Sequence, residues 1–318
     1  WLDAEANRGE FIAIFVPWFW QDEYRRTPPD NWQPEEEEAE VIEAYGLDRD
    51  QGYWMHLKNI TLGGKQGQIG WKFKQEYPCN AEEAFQSGGA QGLIKGQHVV
   101  RARRLKLEVI ETEPKLLGVD VARNAGGDED TGDATELISR QGRVVGRAEN
   151  MTIHSDDLVV VADAIHESHR REKYDMIFID ITGVGAGVYD ILRARGLGSC
   201  LTPVNFGSQS LYPKRFMNKR AEMWWALAEY FAQEGGVDMP DEDVFHRHLC
   251  SATWKTNESG RIKLEPKEAI RKRLKISPDK GDALATTFAV RIEKRKHGVK
   301  SYRRNLRRSS QARGYMAA

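Results

Sequence analysis

The sequence predicts an α/β domain over residues 115–292, a mixed β-sheet covered by helices on both faces. Two observations carry this reading. Two strand-like runs joined by a tight turn come first, and short apolar runs then alternate with helical stretches. A domain of about 180 residues lies within the ordinary size range.

The elements follow in chain order. FIAIFVPW at 11–18 is rich in β-branched and aromatic residues and reads as a buried strand ending at Pro17. PEEEEAEVIEAYGL has Pro34 at its start, acids where the helix dipole favours them, and Gly46 as a stop. Asn80 is the expected N-cap of a short helix closed by Gly88 and Gly89. The mixed, basic stretch 91–114 reads as a linker. LLGVD is a buried strand, and ATELISRQGRVVGRAENMTI reads as two strands joined at Gln141-Gly142. Ser155 is expected to cap a helix running to about Arg170, with Leu158, Val161, Ala162 and Ile165 at helical spacing. YDMIFID is a second buried strand, followed by TGVGAG and a helix. LTPVNF is a further strand, and Asn218 is expected to cap KRAEMWWALAEYFAQ. DEDVFHRHL is a helix, TWKTNESGRIKLE a hairpin, and SPDKGDALATTFAVRIEK a closing helix.

Charge balance names no partner, since 47 Lys and Arg face 48 Asp and Glu. Distribution is uneven: 291–313 is almost purely basic and 33–45 acidic. Three separated cysteines, Cys79, Cys200 and Cys250, exclude a CxxC zinc ribbon and argue against a disulfide framework. The lack of a long apolar run and of a signal peptide makes a soluble intracellular protein the expectation. A first residue of Trp1 rather than Met suggests a processed or partial chain.

The chemistry rests on carboxylates. Asp120 ends one apolar run, Asp180 ends another, and Asp282 lies near the start of the closing helix. Neighbouring strands lie about 4.8 Å apart, so acids at their ends can converge. With Ser277 as N-cap and Pro278 first in the helix, Asp279 and Asp282 stand three apart and share a face. Asp279 also reads simply as an acid complementing the dipole. A single Asp at a strand end is ordinarily a turn former; the combination is the signal. Converging carboxylates repel unless cations neutralise them, and oxygen-only ligands select Mg2+ or Mn2+. Two such ions about 3.5–4 Å apart stabilise the attacking and leaving oxygens of a phosphodiester, which makes metal-assisted hydrolysis of nucleic acid the expected reaction.

These residues resemble the C-terminal nuclease domain of phage terminase large subunits. The resemblance runs in order through GVDVARNAGGDEDTGDAT, FIDITGVGAGVYDILRARG, NKRAEMWWALAEYF and GRIKLEPKEAIRKRLKISPDKGDALATTFA. GEFIAIFVPWFWQDEYR and KFKQEYPCNAEEAFQSGG resemble the end of that family's ATPase domain. The resemblance implies an RNase H-like fold at 115–292, an ATPase-domain remnant at 1–90 and a basic tail at 293–318. It implies that Asp120, Asp180 and Asp282 hold two Mg2+ or Mn2+ ions, with Asp133 and Asp279 as auxiliary acids. Double-stranded DNA is the implied substrate, cut during genome packaging in the host cytoplasm. Portal protein and small terminase subunit are the implied partners, with oligomers only in the packaging motor and no membrane.

The chain departs from that family in having no GxxxxGK[ST] P-loop, and GGKQG at 63–67 does not supply one, so it is not expected to hydrolyse ATP. Lys263, Lys267, Arg271, Lys272, Arg273 and the tail are candidate phosphate contacts; singly, each reads better as a solvated charge. Trp224 and Trp225 read as core. Two other readings stay open: an actin-like-fold ATP phosphotransferase, and a non-catalytic DNA-binding or scaffold fragment.

Overall fold

The computed structural model describes residue 10 and residues 12–65, 67–84, 92–122 and 134–293. In chain order it contains α1 (Glu36–Tyr45), α2 (Arg49–Thr61), α3 (Trp71–Glu76), α4 (Ala81–Ala84) and α5 (Gly96–Arg104). Next come β1 (Lys115–Asp120), β2 (Thr135–Gln141), β3 (Val144–Ile153), α6 (Leu158–Glu172), β4 (Met176–Asp180), α7 (Gly185–Ala194) and β5 (Leu201–Val204). The chain continues with α8 (Lys219–Ala232), α9 (Asp243–Cys250), β6 (Trp254–Thr256), β7 (Ile262–Leu264), α10 (Lys267–Leu274) and α11 (Asp279–Thr286).

The main sheet has the order β3-β2-β1-β4-β5. β1, β2 and β3 form an antiparallel meander, whereas β4 and β5 run parallel to β1. The mixed sheet expected from the sequence is therefore present. Gly142, at φ +56, makes the tight turn between β2 and β3. β6 and β7 form the separate hairpin.

Period-two alternation sorts the strand residues between two cores. Leu117, Val119, Ile177 and Ile179 point to the face covered by α6 and α7. Leu116, Met176 and Phe178 point to the opposite face, against Trp224, Leu227, Ala283 and Leu284 from α8 and α11. Asp120 and Asp180 share the alternation of Leu116 and Phe178, so both face α11. Gly118 lies between them and the core: a Cβ there would collide with the backbone carbonyl of Ala283. A glycine at that position lets α11 lie directly on β1.

The segment 91–114 carries α5, whose Val99 and Ala102 are buried in the same core as α8 and α11. The first described residues form a smaller aromatic core around Trp18, Met55 and Phe73. Trp18 stacks on Trp54, and Trp54 on Tyr24.

Several local expectations need correction. Residues 12–17 form no strand, and Ile12, Ile14 and Val16 are 84%, 74% and 54% exposed. A strand needs a neighbour for its backbone groups, and none of the strands in the two sheets pairs with this segment. Asp157 rather than Ser155 caps α6, accepting from the Val159 amide. α11 begins at Asp279 and ends at Thr286, short of the expected length. Thr286 and Thr287 turn their hydroxyls back to the carbonyls of Ala283 and Leu284, and such back-bonding weakens helix continuation. Asn218 caps α8 as expected, through the Ala221 amide.

Candidate active site

Asp120 and Asp180 stand side by side because β1 and β4 are parallel and Val119 is in register with Ile179. Both are buried. Asp180 accepts from the Thr182 amide, which fixes its carboxylate at the start of the turn into α7. Gly185 in that turn passes so close to the Asp180 carbonyl that no Cβ fits, so the glycine-rich loop serves a close backbone approach.

The third acid arrives from α11. Asp282 is fully buried, one helical turn after Asp279. Its Oδ1 accepts from Trp224 Nε1 at 2.7 Å and from Arg220 Nε at 3.1 Å. Asp279 accepts from Ser277 Oγ at 2.5 Å, so Ser277 orients this acid instead of capping the helix.

A lysine stands where these acids converge. Lys267, the first residue of α10, places Nζ 2.8 Å from Asp120, 3.0 Å from Asp279 and 3.3 Å from Asp282. The sequence put a metal at this point and read Lys267 as a candidate phosphate contact or a solvated charge; the structure turns Lys267 inward. Arg273 is likewise taken internally, by Glu265 and the Ser251 carbonyl. Among the described residues no group of histidines, cysteines and carboxylates forms a metal cage by itself. The carboxylates surround an ammonium instead.

The electrostatics show what the arrangement demands. Burial pushes Asp120 well above the ordinary carboxylate value; Lys267 opposes this, while Asp279, Asp282 and Asp180 add to it. Burial also raises Asp180. For Asp282 burial works upward too, but Arg220 and Lys267 outweigh it and hold the carboxyl below its ordinary value. Burial works to lower Lys267, and Asp120, Asp282 and Asp279 overcome it, so the ammonium is held well above its ordinary value. Asp120, Asp180, Asp279 and Asp282 face the cations Lys267 and Arg220, a formal excess of two negative charges. The donor set is all oxygen, and Lys267 is a stand-in cation among three carboxylates. In charge and chemistry these residues fit a hard divalent ion.

A second buried pair adjoins the acids. Glu136 lies opposite Asp120 in the β1–β2 register and, with Thr152 and Asn150, receives the Lys280 ammonium. Burial raises Glu136 to about 7, against the opposing charge of Lys280. His248 accepts from the Lys280 amide through Nδ1, and burial pushes it down to about 4.

Asp120, Asp279 and Asp282 are thus drawn together around Lys267, with Asp180 on the neighbouring strand. Asp133 lies outside the described residues, as does most of the basic tail. Sequence reasoning missed Arg220, Glu136 and Lys280, and read Trp224 only as core. Trp224 is fully buried, as expected, but its indole N–H also serves Asp282.

Solved structures share this architecture. A point-mutant gp2c of the large terminase subunit of bacteriophage Sf6, solved with calcium, superposes with a TM-score of 0.52 at 20% identity, covering 63% of this chain and 100% of that one. The Sf6 nuclease domain with manganese gives 0.52 at 19% identity, covering 63% of this chain and 100% of that one. The fold is that of the large terminase nuclease domains. At this identity the terminase likeness establishes architecture, an RNase H-like mixed sheet flanked by helices. No protein-family model and no curated protein matches the chain. No helix among the described residues is long and apolar enough to cross a membrane.

Proposed function

We propose that this chain is a divalent-metal-dependent DNA endonuclease of the terminase kind. The observation that carries the reading is the convergence of Asp120, Asp279 and Asp282 on one cationic point, three buried carboxyl groups around a single ammonium. Burying several carboxyl groups together is costly even with Lys267 among them, which a structural role alone does not explain.

When bound, divalent ions supply Lewis-acid stabilisation to the attacking and leaving oxygens of a phosphodiester. Asp120, Asp180 and Asp282 would hold them as a pair of Mg2+ or Mn2+ ions, with Asp279 as an auxiliary acid and Asp133 a further candidate. Arg220 keeps Asp282 ionised and oriented. Lys267 would leave the acids when the ions bind, and its ammonium would then pair with a phosphate oxygen.

The same reading makes double-stranded DNA the substrate and genome packaging in the host cytoplasm the setting. A portal protein and a small terminase subunit are the partners it implies. Residues 1–90 would then be the end of an ATPase domain, 91–114 its connection to the nuclease, and 293–318 a basic arm.

Nicking of supercoiled plasmid in Mg2+ or Mn2+ tests the reading. The unaltered chain should nick and EDTA should stop it, while Asp120→Asn, Asp180→Asn and Asp282→Asn should each reduce nicking at least about a hundredfold. ATP turnover without nicking would overturn it in favour of a phosphotransferase. Nicking unchanged in all three variants would remove the acids from the chemistry.

A further inference from the structure

The two oxygens of Asp282 are treated differently. Oδ1 receives two N–H donors, Trp224 Nε1 at 2.7 Å and Arg220 Nε at 3.1 Å. Oδ2 has only longer contacts, Arg220 Nη2 at 3.4 Å and Lys267 Nζ at 3.3 Å. Arg220 and Trp224 are four apart on α8, hence on one face. The Asn218 cap sets where α8 begins.

Neither donor is free to move away. Arg220 also gives Nη1 to the Glu265 carbonyl at 2.8 Å and its own amide to the Phe206 carbonyl at 3.0 Å. Trp224 is fully buried, and the backbone of α11 runs against its ring: a Cβ on Gly281 would lie 2.6 Å from it.

A carboxylate oxygen has two lone-pair sites, so two N–H donors commit Oδ1 fully. Only Oδ2 remains to meet a cation. This matters because Ca2+, in a loose shell of six to eight ligands, takes carboxylates through one oxygen or through both, and a one-oxygen Asp282 withholds the second. Mg2+ instead takes single oxygens in a near-ideal octahedron.

We propose that Arg220 and Trp224 are positioning residues that make Asp282 a one-oxygen ligand and so bias the site toward small octahedral ions over Ca2+. The inference rests on the metal-holding reading above. It adds a selectivity determinant built from the NKRAEMWW segment.

The test is calorimetric titration of the full chain with Mn2+ alone and with Ca2+ alone, for the unaltered protein, Trp224→Phe and Arg220→Lys. Trp224→Phe removes the indole N–H and keeps an aromatic ring. Arg220→Lys keeps the charge and loses the planar fork. In each variant the ratio of the Ca2+ to the Mn2+ dissociation constant should fall by about tenfold, within the range of effects that ligand-orienting partners have on metal affinity. Simple loosening of the fold would weaken both ions together and leave the ratio unchanged. Melting curves identify a variant that fails to fold, and the other then carries the test. An unchanged ratio in a folded variant, with Mn2+ still bound by the unaltered chain, overturns the proposal and leaves the metal-holding reading standing. Failure of the unaltered chain to bind Mn2+ at all overturns both.

Discussion

The Lys267 ammonium lies 2.8 Å from Asp120 Oδ2, bridging the start of α10 to the end of the central strand β1. It is the internal counter-ion of a site with more acids than cations. In Lys267→Ala the metal-free protein should lose about 1–3 kcal/mol, less than for a fully enclosed pair because part of the side chain meets solvent. The rise in melting temperature on adding Mn2+ should be larger than in the unaltered chain, because no ammonium competes for the acids. A smaller rise would show that Lys267 supports metal binding instead.

Glu136 gives the protein a pH dependence with a definite sign. Its folded-state value is raised to about 7, from an ordinary 4.5, chiefly by burial. The folded protein therefore holds a proton that the unfolded chain has released, and stability falls as pH rises between these values. The loss is on the order of 3 kcal/mol. Asp120, also raised, acts in the same direction. Urea unfolding at pH 5 and pH 7 should show lower stability at pH 7, and Glu136→Gln should reduce the difference while leaving the share carried by Asp120. Equal differences in both proteins would place the titration elsewhere.

Gly118 is expected to tolerate no side chain. A Cβ would meet the Ala283 carbonyl, a backbone atom that moves only if α11 leaves the sheet. Gly118→Ala should cost at least about 3 kcal/mol in chemical unfolding, at the high end for overpacking. Gly198→Ala is the control, since its added Cβ would meet only the flexible Arg193 side chain at 3.4 Å. A near-neutral Gly118→Ala would mean that α11 does not rest on β1 as described.

Much of the sheet and part of the site were legible in the sequence for one physical reason. LLGVD and MIFID each read as a buried strand ending in an acid, so Asp120 and Asp180 can converge if the strands are neighbours, and the Val119–Ile179 register then sets them side by side. What was not legible depends on tertiary convergence. Lys267 looks like any lysine opening a helix after proline, and only the approach of α10 to β1 turns it inward. Arg220 and Trp224 follow helical spacing, but their task is set by where α11 lies. The apolar run at 12–17 has strand composition, yet composition cannot supply the neighbouring strand that would bury it. Arg49–Thr61, now α2, interleaves Trp54, Met55 and Leu57 with polar residues, and no clear apolar stripe marked it as a helix.

Manganese bound to the crystalline protein tests the central claim most directly, read by anomalous scattering. The account expects anomalous density within ligand distance of Asp120, Asp180 and Asp282 Oδ2, with the Lys267 ammonium displaced from among them. Lys267 remaining in place at saturating Mn2+, with no anomalous density at these acids, would contradict it.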